Sequence, residues 1–257
     1  MLEVIGLFGL VAFVGVSLIV GIRILVLAWR TQGLPEWLVG SSLVLAGGLG
    51  TGLSVLPMLW PALETGAAFV VFQIGSIANH VGYTLLFYFV WRVFRPGQRW
   101  AAVFFVLCLA VLAVGGVGLG LTLLPGESIS RPEGPARTWL MVSLFARVAG
   151  YLWAAIESFR YYAMLKRRLK IGLGDPETAN RFFYWGVCTA AVVCIWATLV
   201  AEQMVPAVAA SRGAIELSSA LLGFVVAGSL SLAFFPGRRQ AADASAGAAQ
   251  AGTDGRG

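Results

Sequence analysis

Long apolar runs, broken by short clusters of Arg, Pro, Gly and acidic residues, set the pattern along this chain. A helix rises about 1.5 Å per residue, so about 20 apolar residues cross the roughly 30 Å hydrocarbon layer of a bilayer. Seven runs reach that length, at about 4–29, 37–60, 66–91, 100–124, 138–160, 182–205 and 213–236. None alternates with the period of two that membrane barrel strands need, and all are much longer than such strands. The pattern predicts an all-α membrane protein, a seven-transmembrane-helix bundle over 1–236. Residues 237–257, rich in Ala, Gly, Ser and Asp and without apolar periodicity, are expected to form a disordered cytoplasmic tail.

Basic residues add an orientation. Arg30 lies in the first connection, Arg92, Arg95 and Arg99 around the third, Arg160 to Arg181 around the fifth, and Arg238 and Arg239 in the tail; the opposite connections hold only Arg131, Arg137 and Arg212. Lys and Arg collect on the cytoplasmic side of short loops, so the N-terminus is expected outside and the C-terminus inside. Met1-Leu2-Glu3 lacks a basic region and the first run is too long for a signal peptide, so it reads as a retained span. Lys166 and Lys170 are the only lysines among 18 basic residues. With the abundant Ala and Gly, that points to a GC-rich bacterial genome and a multi-pass protein of the inner (plasma) membrane.

The net charge of +6 does not signal nucleic-acid binding, because the basic residues flank the spans. A cytoplasmic basic loop, Lys166, Arg167, Arg168 and Lys170, serves topology. It could also hold anionic lipid headgroups, at about 1 kcal/mol per charge, or a protein partner.

Local signals sharpen the helix boundaries. Leu34-Pro35-Glu36-Trp37 places Pro and an acid in a first turn; Asp175 and Pro176 form an N-cap and first helical position, so the sixth helix should begin before its membrane span. Arg95-Pro96-Gly97 reads as a tight turn. Trp29, Trp91, Trp100 and Trp185 fit an interfacial aromatic belt. Val44–Pro57 (VLAGGLGTGLSVLP) resembles Val111–Pro125 (VLAVGGVGLGLTLLP). Hairpin duplication and convergence on Gly-rich packing both account for that. The pairs Gly48/Gly52 and Gly116/Gly120 have the G-x-x-x-G spacing of close helix contact, expected within the bundle.

Several chemistries are disfavoured. His80 is the only histidine, and Cys108, Cys188 and Cys194 form no C-x-x-C pair and read as small buried apolar residues. Neither a zinc site nor a bis-His haem is expected, nor any other cofactor. The layout resembles that of rhodopsins and other seven-helix receptors in architecture alone; a retinal protein needs a lysine in its seventh helix, and Gly213–Phe235 has none. There is no Pro-Gln pair and no G-x-S-x-G elbow. Ser76 and His80 share a helix face, but no orienting acid accompanies them. No catalytic residue, and no enzyme, is expected.

Polar residues inside spans are costly and therefore informative. Gln73, Ser76, His80 and Tyr83 form one stripe of the third helix, with Asn79 beside it. The stripe is expected to face the interior, as interhelical glue or as the wall of a wet cavity. Arg147 lies nine residues past Thr138, about 13 Å into the fifth span, too deep to snorkel easily. Glu216 is its expected partner and Glu202 the second choice, over an outward-facing cavity that includes Gln73. Glu157 is expected to pair locally with Arg160, with Arg23 as the alternative.

Together these residues (Gln73, Ser76, Asn79, His80, Tyr83, Arg147, Glu202 and Glu216) make the candidate ligand-binding cluster. The expected role is receptor- or sensor-like, with a small amphipathic ligand in the outer half and a cytoplasmic or membrane protein partner. A small-solute transporter or channel is the alternative, disfavoured by the lack of a mid-membrane helix break. A structural subunit of a membrane complex is the third.

Overall fold

The computed structural model describes residues 2–60, 62–124, 132–205, 208 and 211–234. The expected tail, 237–257, and Arg131, Pro125 and Pro206 lie outside them. The helices are α1 (Leu2–Thr31), α2 (Leu34–Ser42), a π-helical stretch (Leu43–Gly50), α3 (Thr51–Leu59), α4 (Thr65–Phe94), α5 (Arg99–Thr122), α6 (Gly134–Lys170), α7 (Pro176–Met204) and α8 (Arg212–Phe234). Among the described residues there is no strand, and seven helical segments are long and apolar enough to cross a membrane. The second span is α2, the π stretch and α3 in continuous succession; the others are single helices.

Boundary chemistry explains the differences from the apolar runs. The sixth span starts at Pro176, six residues before its apolar run, because Asp175 caps it: its carboxylate accepts from the backbone N–H of Glu177 (3.1 Å) and Thr178 (3.0 Å) and from the Thr178 hydroxyl (2.6 Å). The Thr178 hydroxyl foremost, then the two amides, hold this carboxyl below its usual range. The fifth span continues to Lys170, well past its apolar run. Met164 to Lys170 are good helix formers, and the first breaker is Gly172, in the left-handed region at φ 73°. The basic run Lys166, Arg167, Arg168 and Lys170 is therefore not a loop but the exposed last turns of α6. At 37 residues, α6 is about 55 Å long and overshoots a bilayer core.

The spans close a ring in chain order, each against the next and α8 against α1, while α4 also touches α6. α4 and α6 thus each touch three other spans, and Val70, Ile74, Ile77 and Val81 form an exposed face of α4. The end where α4 stops and α7 starts is called the basic end below, the opposite one the far end. Glycines let the backbones close up. An added Cβ at Gly82 of α4 would lie 2.5 Å from the Ala46 nitrogen of the π stretch, and one at Gly75 would lie 2.6 Å from the Ser54 nitrogen. Both G-x-x-x-G pairs pack within the bundle: Gly48 and Gly52 against Leu18 and Val14 of α1, Gly116 and Gly120 against His80 and Gln73 of α4. The two similar segments nonetheless differ in backbone, the first passing through the π stretch and the second remaining α-helical.

The aromatic belt is only partly as expected. Trp29 (72% exposed) and Trp100 (51%) face outward, but Trp185 (6%) is inside the bundle against Phe89 and Phe234. Likewise Cys108 and Cys188 are buried while Cys194 is exposed on the outer face of α7.

Because the neighbour of Gly82 is backbone, Gly82→Val should destabilise the bundle by about 2–3 kcal/mol, lowering the midpoint of thermal unfolding in detergent by about 5 °C or more. Gly66→Ala, where nothing lies within 4 Å of the new Cβ, should leave the midpoint unchanged in the same assay.

Candidate functional site

The site is organised by α4. This helix has the second span, α5 and α6 as neighbours, so its polar side chains fan out rather than line one cavity. Gln73 Nε2 donates to the Gly120 carbonyl of α5 (3.2 Å). Asn79 Nδ2 donates to Ser54 Oγ of α3 (3.2 Å), and its Oδ1 accepts from the Tyr83 hydroxyl (3.1 Å). His80 Nδ1 is 2.6 Å from the Ser76 carbonyl, and Nε2 is 3.2 Å from Ser143 Oγ of α6. A carbonyl can only accept, so Nδ1 carries the proton and Nε2 accepts from the serine. This arrangement orients a serine on a histidine, but the serine is Ser143 rather than Ser76. Ser143 is fully buried under Gly115, so no substrate can approach it there. One contact of each of Gln73, Asn79 and His80 joins α4 to another span, which is the interhelical-glue reading for these three residues.

The second span departs from the α-helix where it meets this network. A π turn widens the backbone and breaks the regular i to i−4 pattern, and such turns cluster at functional sites. Here the stretch covers Leu43–Gly50, and the Thr51 hydroxyl donates back to the Ala46 carbonyl (2.8 Å). Gly47 lies against the fully buried Ser17 of α1, whose hydroxyl has no partner among the described residues. The sequence signal for a mid-membrane break was absent because no Pro marks it; the glycines that permit it also serve ordinary packing. A cavity of about 30 Å³ adjoins the stretch, with Ser42, Tyr151 and Thr189 among its walls, large enough for about one water.

Arg147 is the residue in which the structure departs furthest from expectation. It is 8% exposed, and its guanidinium carbon sits 5.1 Å from the Tyr83 ring centre and 5.0 Å from that of Trp196. Among the described residues no hydrogen bond or ion pair involves Arg147, and its Nε is buried without a partner. The pairing expected with Glu216 or Glu202 is thus replaced by a cation held between two aromatic rings. Both carboxylates are half-buried and neither is without a partner. Tyr151, one turn along from Arg147, packs edge-on against Tyr83 (5.8 Å) and backs that ring. The cluster missed from sequence is therefore Tyr151 and Trp196. Tyr151 could have been found from its i+4 spacing to Arg147; Trp196, on another span, carried no local signal.

Toward the basic end the same two helices meet again. Glu157 of α6, 4% exposed, accepts from Arg95 Nε at 2.9 Å, and Arg160 stands at 3.8 Å. The local partner expected from sequence is present but secondary, and Arg23 is not the cross-helix partner. Arg95 follows α4 directly and packs over Trp100 (5.7 Å), so the turn Arg95-Pro96-Gly97, with Gly97 at φ 74°, fixes the end of α4 onto α6.

Among the described residues no group of three or more His, Cys, Asp or Glu could hold a metal ion. No protein-family model, curated protein or solved structure matches the chain.

The energetics of Arg147 give a prediction. Arginine at mid-span costs about 2.5–3.5 kcal/mol, and two desolvated cation–π contacts return about 2 kcal/mol each, so the side chain is near balance. Arg147→Met, of similar length and free of the desolvation cost, should unfold within about 2 °C of the parent or above it in a thermal scan. A loss of more than about 5 °C would assign Arg147 a structural role.

Proposed function

We propose that this chain is a receptor-like inner-membrane protein, with its N-terminus outside and its C-terminus cytoplasmic. It binds a small amphipathic molecule with an anionic head at Arg147 and couples to a protein partner through its basic end. The observation that carries the reading is the buried guanidinium of Arg147, held by Tyr83 and Trp196 and joined to no carboxylate among the described residues. A cation kept in that setting at near-zero net stability is matched to a charge that arrives from outside the chain. A carboxylate or phosphate head can accept two parallel N–H bonds from a guanidinium, and the tail of such a molecule suits an apolar bundle. The orientation is supported by the crowding of Arg and Lys at one end. The partner reading is supported by α6, whose last turns carry Lys166, Arg167, Arg168 and Lys170 exposed beyond the length a bilayer needs.

A small-solute transporter is the second reading, favoured by the π stretch that interrupts the second span at its middle and by the small cavity beside it.

Native mass spectrometry with an absorbance spectrum, on protein purified in mild detergent, tests binding at Arg147 against the structural-subunit alternative. A co-purified or added carboxylate such as decanoate should give a discrete adduct, decanol should give none, and Arg147→Met should lose the adduct while keeping its fold. Equal adducts of acid and alcohol, or a bare chain with only a second polypeptide attached, would favour a structural subunit instead. A green fluorescent protein fused to the C-terminus should fluoresce, as it does only on the cytoplasmic side.

A further inference from the structure

The hairpin of α6 and α7 stands clear of the other connections at the basic end. Its helices are level with the end of α4 at Tyr161 and Phe182, whose rings pack on that of Phe94 (5.7 and 5.8 Å). From there α6 runs on to Lys170. The connecting turn begins at Ile171, about 15 Å beyond the level of Phe94. Arg95 follows Phe94 directly, so in the proposed membrane orientation Phe94 marks the edge of the apolar layer. A headgroup layer adds only about 5–8 Å. The tip of the hairpin therefore stands in water, past the lipid headgroups.

That tip is both rigid and apolar. α6 closes with two backbone bonds, from the Leu173 N–H to the Arg168 carbonyl (2.9 Å) and from the Gly172 N–H to the Leu169 carbonyl (3.1 Å). α7 begins at once on the Asp175 cap. In a closure of this kind the residue in the place of Leu173 commonly rests on an apolar side chain in the last turns of the helix. Here the side chains at those places are Arg167 and Arg168, and Leu173 is left 65% exposed, with Ile171 at 70%. Lys166, Arg167, Arg168 and Lys170 flank this pair and have no carboxylate partner among the described residues. Both acids of the hairpin are engaged, Asp175 in the cap and Glu177 with Arg181. A preformed turn loses little chain entropy when it is covered, and four unpaired cations set the sign of what covers it. They also repel a second copy of the same tip.

We infer that the tip of the α6–α7 hairpin docks an acidic protein, with Ile171 and Leu173 entering an apolar pocket of that partner and its carboxylates meeting Lys166, Arg167, Arg168 and Lys170. The inference rests on the partner reading proposed above, and it names the contact and the chemistry of the partner.

Photocrosslinking in the native cells tests this, with p-benzoylphenylalanine placed singly at Ile171, at Leu173 or, as a control in another turn of the same end, at Gln98. The two tip positions should give one dominant protein adduct, and the protein identified in it should carry a net negative charge. That protein, purified, should bind the parent chain in nanodiscs. It should bind Leu173→Ser, and the double variant Arg167→Glu/Arg168→Glu, roughly tenfold or more weakly. Its affinity for the parent should fall between about 50 mM and about 500 mM salt. Both variants alter exposed side chains and should unfold at the midpoint of the parent. An adduct protein of net positive charge, an affinity that Leu173→Ser leaves unchanged, or tip adducts with lipid alone overturns the inference. A protein adduct from Gln98 with none from the tip overturns it and leaves the partner reading standing; no protein adduct from any of the three positions removes both.

Discussion

The close approach of the second span to α4 is the constraint on which the remaining architecture rests. Gly82 against Ala46 and Gly75 against Ser54 bring backbone to backbone, with no room for a Cβ. Lipid tails are as apolar as leucine, so helices in a bilayer gain little from hiding apolar surface and associate through close packing and interhelical hydrogen bonds. With the second span drawn in this far, α4 packs against that span, α5 and α6, and leaves Val70, Ile74, Ile77 and Val81 on its exposed face. Its polar residues lie on the packed sides, and each finds a partner on a different neighbour: Gln73 on α5, Asn79 on α3, His80 on α6. The same approach places the π stretch beside Asn79, since a Cβ on Gly50 would lie 2.7 Å from the Asn79 backbone nitrogen.

The all-helical class and the seven helices long and apolar enough to cross a membrane were legible because they depend on sums along the chain. Twenty apolar residues in succession have few other uses, and a sole histidine limits metal chemistry whatever the fold. Helix starts with a chemical cap, such as Asp175-Pro176, were legible for the same local reason. Pairings across spans were not. The sequence offered Arg147 two carboxylates, and charge alone selected them; it held no information on which helices are neighbours. The rings of Tyr83 and Trp196, separated from Arg147 by 64 and 49 positions in the chain, do the holding instead. Glu157 shows the same limit: Arg160 is near in sequence, but Arg95 reaches it with the better geometry because the end of α4 packs against α6. The stripe on α4 was read correctly as facing inward, yet a one-sided stripe implies one shared cavity only if a single neighbour lies opposite.

Stability and function pull apart most clearly at Arg147. Packing glycines allow backbones to approach, and the Asn79 network and the Arg95–Glu157 pair satisfy groups that would otherwise be left unpartnered, so each has a structural reason to exist. Arg147 does not share that reason, because a methionine would fill the space with no charge to desolvate. Real proteins keep such local inconsistencies where a site demands them. That asymmetry, more than the number of polar residues in the bundle, separates a candidate binding residue from interhelical glue.

Two contacts between the same pair of helices give that residue mechanical reach. α4 presents Tyr83 to Arg147 at mid-span and Arg95 to Glu157 at the basic end, while α6 supplies both partners. The contacts are ten to twelve residues apart on each helix, about 15–18 Å along the axis. A helix of that length is stiff, so a ligand that changes the Arg147–Tyr83 spacing by tilting α6 acts as well on the Arg95–Glu157 pair. The carboxylate there is 4% exposed, and a buried charge separated from its partner is strongly penalised. Arg160 stands 3.8 Å from the same carboxylate, so Glu157 ties the end of α4 to α6 through Arg95 while keeping a second cation of its own helix beside it. Past this pair α6 continues into the exposed basic turns Lys166 to Lys170, so the contact with α4 fixes where those turns emerge.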